Sequence, residues 1–313
     1  MTAISLAAVQ VDTWSDRSGH VASFVSVSAG LDLEVLDWGG NGQPVLLWAG
    51  LGNTAHVFDD FAPQLRVRFH VVGVTRRGFG ASGRPAAGFD VATRVKDILA
   101  VLDHLAFERP ILVGHSMAGE EMTRFATLHP SRVRAIVYLD AAYDHTRTPK
   151  VPGPEQPITA RDKESVKRLN EYLARTLGFR YPEAELRVTG GVFDPTGKFV
   201  RDVTPSGAGR QMLNSVERPD YRQVRVPTLA IYQPMTLASL YPNAGTFKVA
   251  ARQLADRQVR EARVWWQHSI DQYRAETPNA RTIVLESGGH HVFLTNQSEV
   301  ARLIVSWALS VAN

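Results

Sequence analysis

The stretch ILVGHSMAG, at Ile111–Gly119, decides the fold of this chain. Its first three residues form a short apolar run of the kind found in buried parallel strands. The small residues that follow predict a sharp turn into a helix over Met117–Leu128. A strand that passes into a helix through G-x-S-x-small is a nucleophile elbow, which exposes the serine hydroxyl close to the first helical N–H groups. Ser116 is therefore the candidate nucleophile.

Strand-like and helix-like runs alternate on both sides of this stretch. The predicted strands are Val21–Val27, Leu31–Trp38, Val45–Leu47, Phe69–Val74, Val133–Leu139, Val226–Tyr232 and Thr282–Leu285. The predicted helices are Val57–Leu65, Val91–Leu105, Phe247–Ala275 and Ser298–Val311, with Asp90 and Thr246 as caps of the second and third. The first two strands predict an antiparallel pair, and the alternation after them predicts an α/β fold with a mostly parallel sheet flanked by helices.

Composition excludes several classes of protein. The net charge is only +4 over 313 residues and the basic residues are scattered, so we expect no nucleic-acid partner. The absence of cysteine excludes a thiol nucleophile, disulfides and a cysteine-ligated metal. No apolar run is long enough to span a membrane. Met1–Gln10 lacks a basic region and makes a poor signal peptide, so the chain is expected to be cytoplasmic or exported with its leader absent.

The elbow and its flanking elements resemble those of the α/β-hydrolase superfamily, from Val21 to the C-terminus. This chain has Ala118 where glycine is commonest, and Gly119 follows it. The run TRRGFGAS at Thr75–Ser82 is similar to the superfamily's D-x-R-G-x-G-x-S turn, with threonine in place of aspartate. We expect this turn to be scaffold that orders the loops around the nucleophile.

The resemblance also implies a division of the chain. Residues 1–20 are expected to form an N-terminal arm, and residues 21–144 and 226–313 the α/β-hydrolase core. The segment His145–Arg225 is charged, has Pro and Gly at its edges and interrupts the strand–helix rhythm. The superfamily places its cap here, so we expect this segment to be a helical cap. It should include a helix over Thr159–Leu177, which Gly178 terminates.

A serine hydroxyl needs a base within hydrogen-bonding reach. In the superfamily the chain order is Ser, then Asp or Glu, then His after the last strand. His290 matches the G-x-H position of that loop and is the expected base, whereas His291 is expected to point the opposite way and to be structural. The two histidines have no accompanying ligand cluster, so we expect no metal there.

The triad acid is less obvious. Most of the superfamily carries it after the strand that corresponds to Val226–Tyr232, but Gln233–Thr236 contains no carboxylate. A subset, which includes the haloalkane dehalogenases, carries the acid one strand earlier, where this chain has Asp140. Asp144 lies one turn further along and is the alternative. The resemblance thus implies a Ser116–His290–Asp140 triad.

An oxyanion hole is implied by the run WAGLGN at Trp48–Asn53, which matches the superfamily's H-G-x loop with Ala49 in place of the histidine. We expect its two donors to be the backbone N–H groups of Leu51 and Met117. A simple glycine-rich turn is the alternative interpretation of this run.

The implied function is that of a cofactor-free serine hydrolase that cleaves carboxylic esters through an acyl-enzyme, with a small-molecule acyl compound as substrate. A lactonase, an amidase, a C–C hydrolase or a cofactor-free perhydrolase would use the same triad, because specificity lies in the cap and its pocket. A low-turnover ligand-binding or receptor protein of the same fold is a third alternative. The sequence determines neither the substrate nor the oligomeric state.

Overall fold

The computed structural model describes residues 14–203 and 207–311. Its strands are β1 (Val21–Ser28), β2 (Leu31–Gly39), β3 (Gln43–Trp48), β4 (Phe69–Val74), β5 (Ile111–His115), β6 (Ala135–Leu139), β7 (Val192–Phe193), β8 (Phe199–Arg201), β9 (Thr228–Tyr232) and β10 (Ala280–Val284). Its helices are α1 (Ala62–Arg66), α2 (Val91–His104), α3 (Ala118–Leu128), α4 (Val166–Leu177), α5 (Glu183–Thr189), α6 (Ala208–Asn214), α7 (Leu237–Leu240), α8 (Val249–Glu276), α9 (Val292–Thr295) and α10 (Gln297–Ser310).

Eight of these strands form one sheet in the order β1-β2-β4-β3-β5-β6-β9-β10. Strand β2 runs antiparallel to both β1 and β4, as the sequence predicts for the first pair. Every other neighbouring pair is parallel. The carboxyl ends of β3, β5, β6, β9 and β10 therefore meet at one edge of the sheet, where ligands bind in open α/β sheets.

Alternation along the central strands sends side chains to two separate cores. In β5, Leu112 packs with one apolar cluster, whereas Ile111 and Val113 pack with the other. The first cluster includes residues of α2, α3 and α8, and the second includes residues of α1 and α10. The sheet is thus covered by helices on both faces, which explains why its strands read as continuous apolar runs.

The helix before the nucleophile strand begins where the sequence predicts. The Asp90 side chain accepts a hydrogen bond from the N–H of Thr93 at 2.9 Å, as an N-cap residue does. Val95 and Ile98 on its inner face are buried in the first cluster. This crossover helix connects two parallel strands of the sheet.

Three predicted helices differ from those observed. The Val57–Leu65 helix is wrong as a continuous element, because a 3₁₀ turn at Ala55–Phe58 is followed by α1. The helix predicted over Thr159–Leu177 begins only at Val166, where the side chain of Ser165 caps it. The long helix α8 begins at Val249, and Thr246 does not cap it because the Thr246 hydroxyl donates to the backbone oxygen of Asn243.

The segment predicted to be a cap, 145–225, contains α4, α5, α6 and the small antiparallel pair β7–β8. Its own apolar cluster is small and centres on Val166, Leu169 and Leu186. Of the predicted arm, 1–13 lies outside the described residues, and 14–20 contains no helix or strand. Among the helices that the structure describes, none combines the length and the apolar character needed to cross a bilayer.

Candidate active site

The elbow places Ser116 at the junction between β5 and α3. Its φ angle is 54°, in the left-handed region that non-glycine residues rarely adopt. The N–H of Ser116 donates to the Leu139 oxygen at 3.3 Å, and the N–H of Gly119 donates to the Ser116 oxygen at 2.9 Å. Strained conformations of this kind persist where the surrounding structure fixes them, and they concentrate at functional sites.

The small residues of the elbow are required by close packing. A Cβ at Gly114 would lie 2.6 Å from Cε of Met122 and 2.8 Å from Cβ of Ala118. A Cβ at Gly119 would lie 1.9 Å from the backbone oxygen of Ala141. The methyl group of Ala118 therefore fits because Gly114 faces it, and neither Gly114 nor Gly119 leaves room for a side chain.

His290 lies between Ser116 and Asp140. The Ser116 hydroxyl is 2.9 Å from Nε2 of His290, and Nδ1 of His290 is 2.6 Å from Oδ2 of Asp140. Because a carboxylate only accepts, Nδ1 carries the proton and the Nε2 lone pair faces the hydroxyl. Asp140 is fully buried, whereas the His290 side chain is 41% exposed and accessible from the crevice.

The second oxygen of Asp140 is also hydrogen-bonded. It accepts from the Tyr143 hydroxyl at 2.5 Å and from the backbone N–H of Gln233 at 3.0 Å. Burial, together with the Asp140 charge, raises the pKa of Tyr143 well above its ordinary value, so the phenol stays protonated as a donor. A buried carboxylate needs such partners. Gln233 follows β9, where most of the superfamily carries its acid; here that position contributes a backbone donor instead.

Asp144, the alternative acid, is placed differently. Its Oδ1 accepts from the N–H of Thr146 at 3.1 Å and from the Thr146 hydroxyl at 2.5 Å, so it caps the 3₁₀ turn His145–Arg147. Its Oδ2 lies 3.6 Å from Nε of Arg147. The structure therefore brings Asp140, and not Asp144, to His290, although the catalytic role of either carboxylate stays a prediction.

His115 holds the loop that carries His290, a contact that the sequence reasoning missed. Nε2 of His115 donates to the backbone oxygen of His290 at 3.0 Å. Burial and the neighbouring His291 and His290 lower the pKa of His115 well below its ordinary value, so the ring is neutral. The sequence could have indicated this contact, because His115 directly precedes Ser116 and ends a buried strand.

The loop Trp48–Asn53, called the oxyanion loop here for its predicted role, passes directly beside Ser116. A Cβ at Gly50 would lie 2.6 Å from Nδ1 of His115 and 3.2 Å from Cβ of Ser116, so only glycine fits at this approach. Among the described residues, neither the N–H of Leu51 nor that of Met117 donates to another protein group. Both predicted donors are therefore available for a ligand oxygen.

The turn Thr75–Ser82 has the contacts expected of scaffold. The Thr75 hydroxyl donates to Oε2 of Glu34 at 2.6 Å and accepts from the N–H of Ala55 at 2.9 Å. The Ser82 hydroxyl donates to the Thr75 oxygen at 2.6 Å. Threonine thus replaces the usual aspartate of this turn by bridging β2 and the end of the oxyanion loop.

A network from the 145–225 segment reaches the same loop. The buried carboxyl of Glu185 accepts from Nδ2 of Asn53 at 2.8 Å, from the N–H of Thr54 at 3.2 Å and from the Thr54 hydroxyl. Burial raises the pKa of Glu185 to about 7, against these hydrogen bonds, which lower it. Oδ1 of Asn53 accepts from Nε2 of His291 at 3.1 Å, and the Tyr181 hydroxyl lies 3.0 Å from the same nitrogen. The His291 side chain therefore contacts Asn53 and Tyr181, and its structural role stays a prediction.

One group of the described side chains has the donor atoms to hold a cation. Potential ligand atoms of Asp16, His20, His56 and Asp59 lie within 4.8 Å of one another. Burial lowers the pKa of His56, but hydrogen bonds to Asp59 and Glu34, and their charges, outweigh it and raise that pKa to about 10. A protonated His56 already offsets the carboxylate charge, and within the described residues the group makes no contact with the Ser116–His290–Asp140 chain.

Comparison with known proteins identifies the family of this chain. The model of the alpha/beta hydrolase family matches residues 45–303, and the chain therefore belongs to this family. It is an enzyme of the hydrolase class.

Two curated relatives are partial matches. The 2-(acetamidomethylene)succinate hydrolase of Mesorhizobium japonicum is 28% identical over 202 residues, which cover 61% of this chain and 70% of that protein. A putative non-heme haloperoxidase of Mycobacterium phage D29 is 32% identical over 154 residues, which cover 48% of this chain and 54% of that protein.

Solved structures align over nearly the whole chain. E-2-(acetamidomethylene)succinate hydrolase superimposes with a TM-score of 0.62 at 21% identity, covering 92% of this chain and 98% of that one. An esterase from Rhodococcus sp. ECU1013 gives a TM-score of 0.62 at 16% identity, covering 93% of this chain and 99% of that one. At these identities the likeness shows the fold alone.

Proposed function

We propose that this chain is a serine hydrolase that cleaves carboxylic esters with Ser116 as nucleophile, His290 as base and Asp140 as the acid that orients His290. The observation that carries the proposal is the continuous hydrogen-bond chain through the imidazole, 2.9 Å to the hydroxyl on one side and 2.6 Å to the carboxylate on the other. Such a chain activates a hydroxyl that is a weak nucleophile by itself.

The mechanism follows from these positions. Oγ of Ser116 attacks the ester carbonyl carbon while its proton passes to Nε2 of His290, and Asp140 stabilises the imidazolium. The N–H groups of Leu51 and Met117 donate to the oxyanion of the tetrahedral intermediate. His290 then gives its proton to the leaving alkoxide oxygen, which departs as the alcohol and leaves an acyl group on Oγ. Water, deprotonated by His290, hydrolyses this acyl-enzyme and restores Ser116.

The segment 145–225 is the proposed cap over the crevice, within a core of 21–144 and 226–313. Its support is the contact of Glu185 and Tyr181 with the oxyanion loop and with the loop of His290. A cap that touches both loops would shape the acyl and alcohol pockets, which sets substrate preference in this proposal.

The test is a panel of p-nitrophenyl esters from acetate to dodecanoate, assayed with the wild type and with Ser116→Ala. We expect the wild type to release p-nitrophenolate and the variant to lose nearly all turnover while its circular dichroism is unchanged. Equal turnover by both proteins would contradict the proposal, as would a wild type without turnover on any ester.

A second candidate is hydrolysis of an acetamide-bearing substrate, favoured by the relative named as a 2-(acetamidomethylene)succinate hydrolase. The same panel distinguishes it when acetanilides are included, since preference for the amide over the matched ester would favour this candidate. The perhydrolase alternative is supported by the relative named as a haloperoxidase. It is tested by measuring peracetic acid formed from acetate with and without hydrogen peroxide.

A further inference from the structure

Two neighbouring arginines follow β4, and only the first touches the oxyanion loop. Arg76 occupies the variable position of the D-x-R-G turn, and its side chain is 1% exposed. Its Nη1 donates to the backbone oxygen of Gly50 at 3.1 Å. Its Nε lies 3.0 Å from Oε1 of Glu121. The function proposed above assigns no role to this guanidinium.

The Gly50 oxygen accepts from Arg76 and from the backbone N–H of Asn53 at 3.3 Å, and its direction fixes where the next N–H points. In a trans peptide the C=O and the following N–H lie on opposite sides of the bond, and the described residues contain no cis peptide. Arg76, which is buried, contacts the Gly50 oxygen on one side of this peptide, so the N–H of Leu51 is directed to the opposite side. This peptide lies close to the nucleophile, because a Cβ built at Gly50 would be 3.2 Å from Cβ of Ser116.

The second contact of Arg76 reaches the other wall of the hole. Glu121 lies in the first turn of α3, the helix whose start provides the N–H of Met117. Its carboxylate is shared by Arg76, by Nη1 of Arg94 at 2.6 Å and by the indole N–H of Trp48, the residue that ends β3. One guanidinium thus connects the loop that carries one expected donor with the helix that carries the other.

We propose that Arg76 is a positioning residue that aims the Leu51 N–H at the oxyanion and, through Glu121, fixes its separation from the Met117 N–H. The proposal rests on the function proposed above. Its physical basis is that oxyanion donors act through preorganisation, so a small rotation of one peptide removes stabilisation that exists only in the transition state.

Arg77 provides a matched control within the same turn. It is also buried, its Nε and Nη2 bind the carboxylate of Asp97 at 2.6 and 2.5 Å, and its Nη1 donates to the backbone oxygen of Gly88 at 3.1 Å. Each arginine therefore has one buried carboxylate and one glycine carbonyl. The relevant difference is that Gly50 belongs to the oxyanion loop, whereas Gly88 lies in the loop before α2.

The experiment compares Arg76→Met with Arg77→Met by kcat and KM on the best p-nitrophenyl ester and by the rate at which a fluorophosphonate labels Ser116. We expect Arg76→Met to lower kcat and the labelling rate by about 10²-fold, with KM nearly unchanged, because the lost interaction belongs to the transition state. Arg77→Met should change kcat only a few-fold, even if both variants melt at similarly lower temperatures. Equal losses in kcat, or an effect of Arg76→Met on KM alone, would overturn the proposal.

Arg76→Lys covers the case in which Arg76→Met does not fold. A lysine keeps the charge but cannot contact Gly50 and Glu121 with one planar fork, so we expect kcat to fall by roughly 10-fold with KM unchanged. Wild-type kcat in Arg76→Lys would count against the proposal.

A crystal structure of the variant separates this proposal from the proposed function. If the Gly50 carbonyl keeps its direction in the arginine variant, Arg76 does not position the loop, whatever the activity. If the carbonyl turns while the wild type is neither labelled nor active on esters, the positioning role stands and the hydrolase proposal fails.

Discussion

The core and the 145–225 segment hold the oxyanion loop from two sides by different means. On the core side, Arg76 and Glu121 carry opposite charges in a buried cluster beneath Gly50. On the other side, a single carboxyl group, Glu185, holds Asn53 and Thr54, and burial raises its pKa to about 7. The core contact is thus made by a guanidinium that is paired with a buried carboxylate, whereas the contact from the inserted segment is made by one carboxyl group whose pKa is raised by burial.

The two regions also differ in how they are packed. The core strands are buried between two extended apolar clusters. Ser116 and Asp140 directly follow β5 and β6, and His290 lies in the loop after β10. The inserted segment has a small cluster of its own and reaches the core mainly through polar contacts such as Glu185 with Asn53. In the function proposed above, the chemistry therefore belongs to the core and the substrate preference to the inserted segment.

The largest expected effect concerns the acid in the core. Asp140→Asn should lower kcat by about 10⁴-fold, because an amide in this place favours the wrong tautomer of His290. Asp144→Asn is the matched control and should leave kcat within a few-fold, since Asp144 caps a 3₁₀ turn. Both variants are assayed on the same ester at one pH. A larger loss in Asp144→Asn than in Asp140→Asn would reverse the assignment of the acid.

The next effect tests the contact made by the inserted segment. The Glu185 carboxyl keeps its proton to about pH 7 when folded, against an ordinary pKa of 4.5. Between these values the folded chain binds more protons than the unfolded chain, so the stability that this group contributes falls as pH rises and is constant above about pH 7. Nearby His56 stays protonated throughout, because its pKa is raised to about 10.

Glu185→Gln removes this titration. The free energy of unfolding of the wild type, minus that of the variant, should therefore fall by on the order of 3 kcal/mol between pH 4 and pH 8, measured by urea unfolding. Glu183→Gln is the control on the same helix, where the side chain is 49% exposed and pairs with Arg187. If the difference in unfolding free energy between the wild type and Glu185→Gln does not change with pH, the pKa of the Glu185 carboxyl is not raised in the folded chain.

The smallest effect compares one helical glycine from each region. Gly119→Ala in α3 should destabilise the fold by about 1–3 kcal/mol, because its Cβ would meet the backbone oxygen of Ala141. Gly209→Ala in α6 should stabilise it by about 0.5–1 kcal/mol, since alanine is the better helix former and its Cβ would meet only Cδ1 of Leu51, at 3.9 Å. Thermal unfolding measures both. Equal shifts would mean that the elbow is less tightly packed than the structure indicates.

The sequence was sufficient to predict the fold and to single out the residues that the structure brings together. Ser116 could be found because the elbow is a local pattern, and Asp140 because Gln233–Thr236 contains no carboxylate. The N–H of Gln233 could not be found, because its contact with Asp140 joins two strand ends that are adjacent only in the folded sheet. Tyr143 lies only three residues after Asp140, but no local pattern marks its hydroxyl as a donor to that carboxylate. The assignment of catalytic roles to these residues remains a prediction.

The inserted segment was less predictable for a physical reason. Its helices are short and amphipathic, so capping residues such as Ser165 determine where they begin, and periodicity extended the first helix too far. In the sequence Glu185 looks like its exposed neighbour Glu183, and only its burial and its contacts with Asn53 and Thr54 distinguish the two. Polar contacts between distant segments leave no periodic signal in the sequence.

The most direct test of the central claim is intact-mass and peptide mass spectrometry after reaction with a fluorophosphonate. The account predicts one adduct per chain, on the peptide that contains Ser116, with labelling abolished in Ser116→Ala and slowed roughly 10²–10⁴-fold in His290→Ala. A wild type that is not labelled, or an adduct that persists in Ser116→Ala, would contradict it.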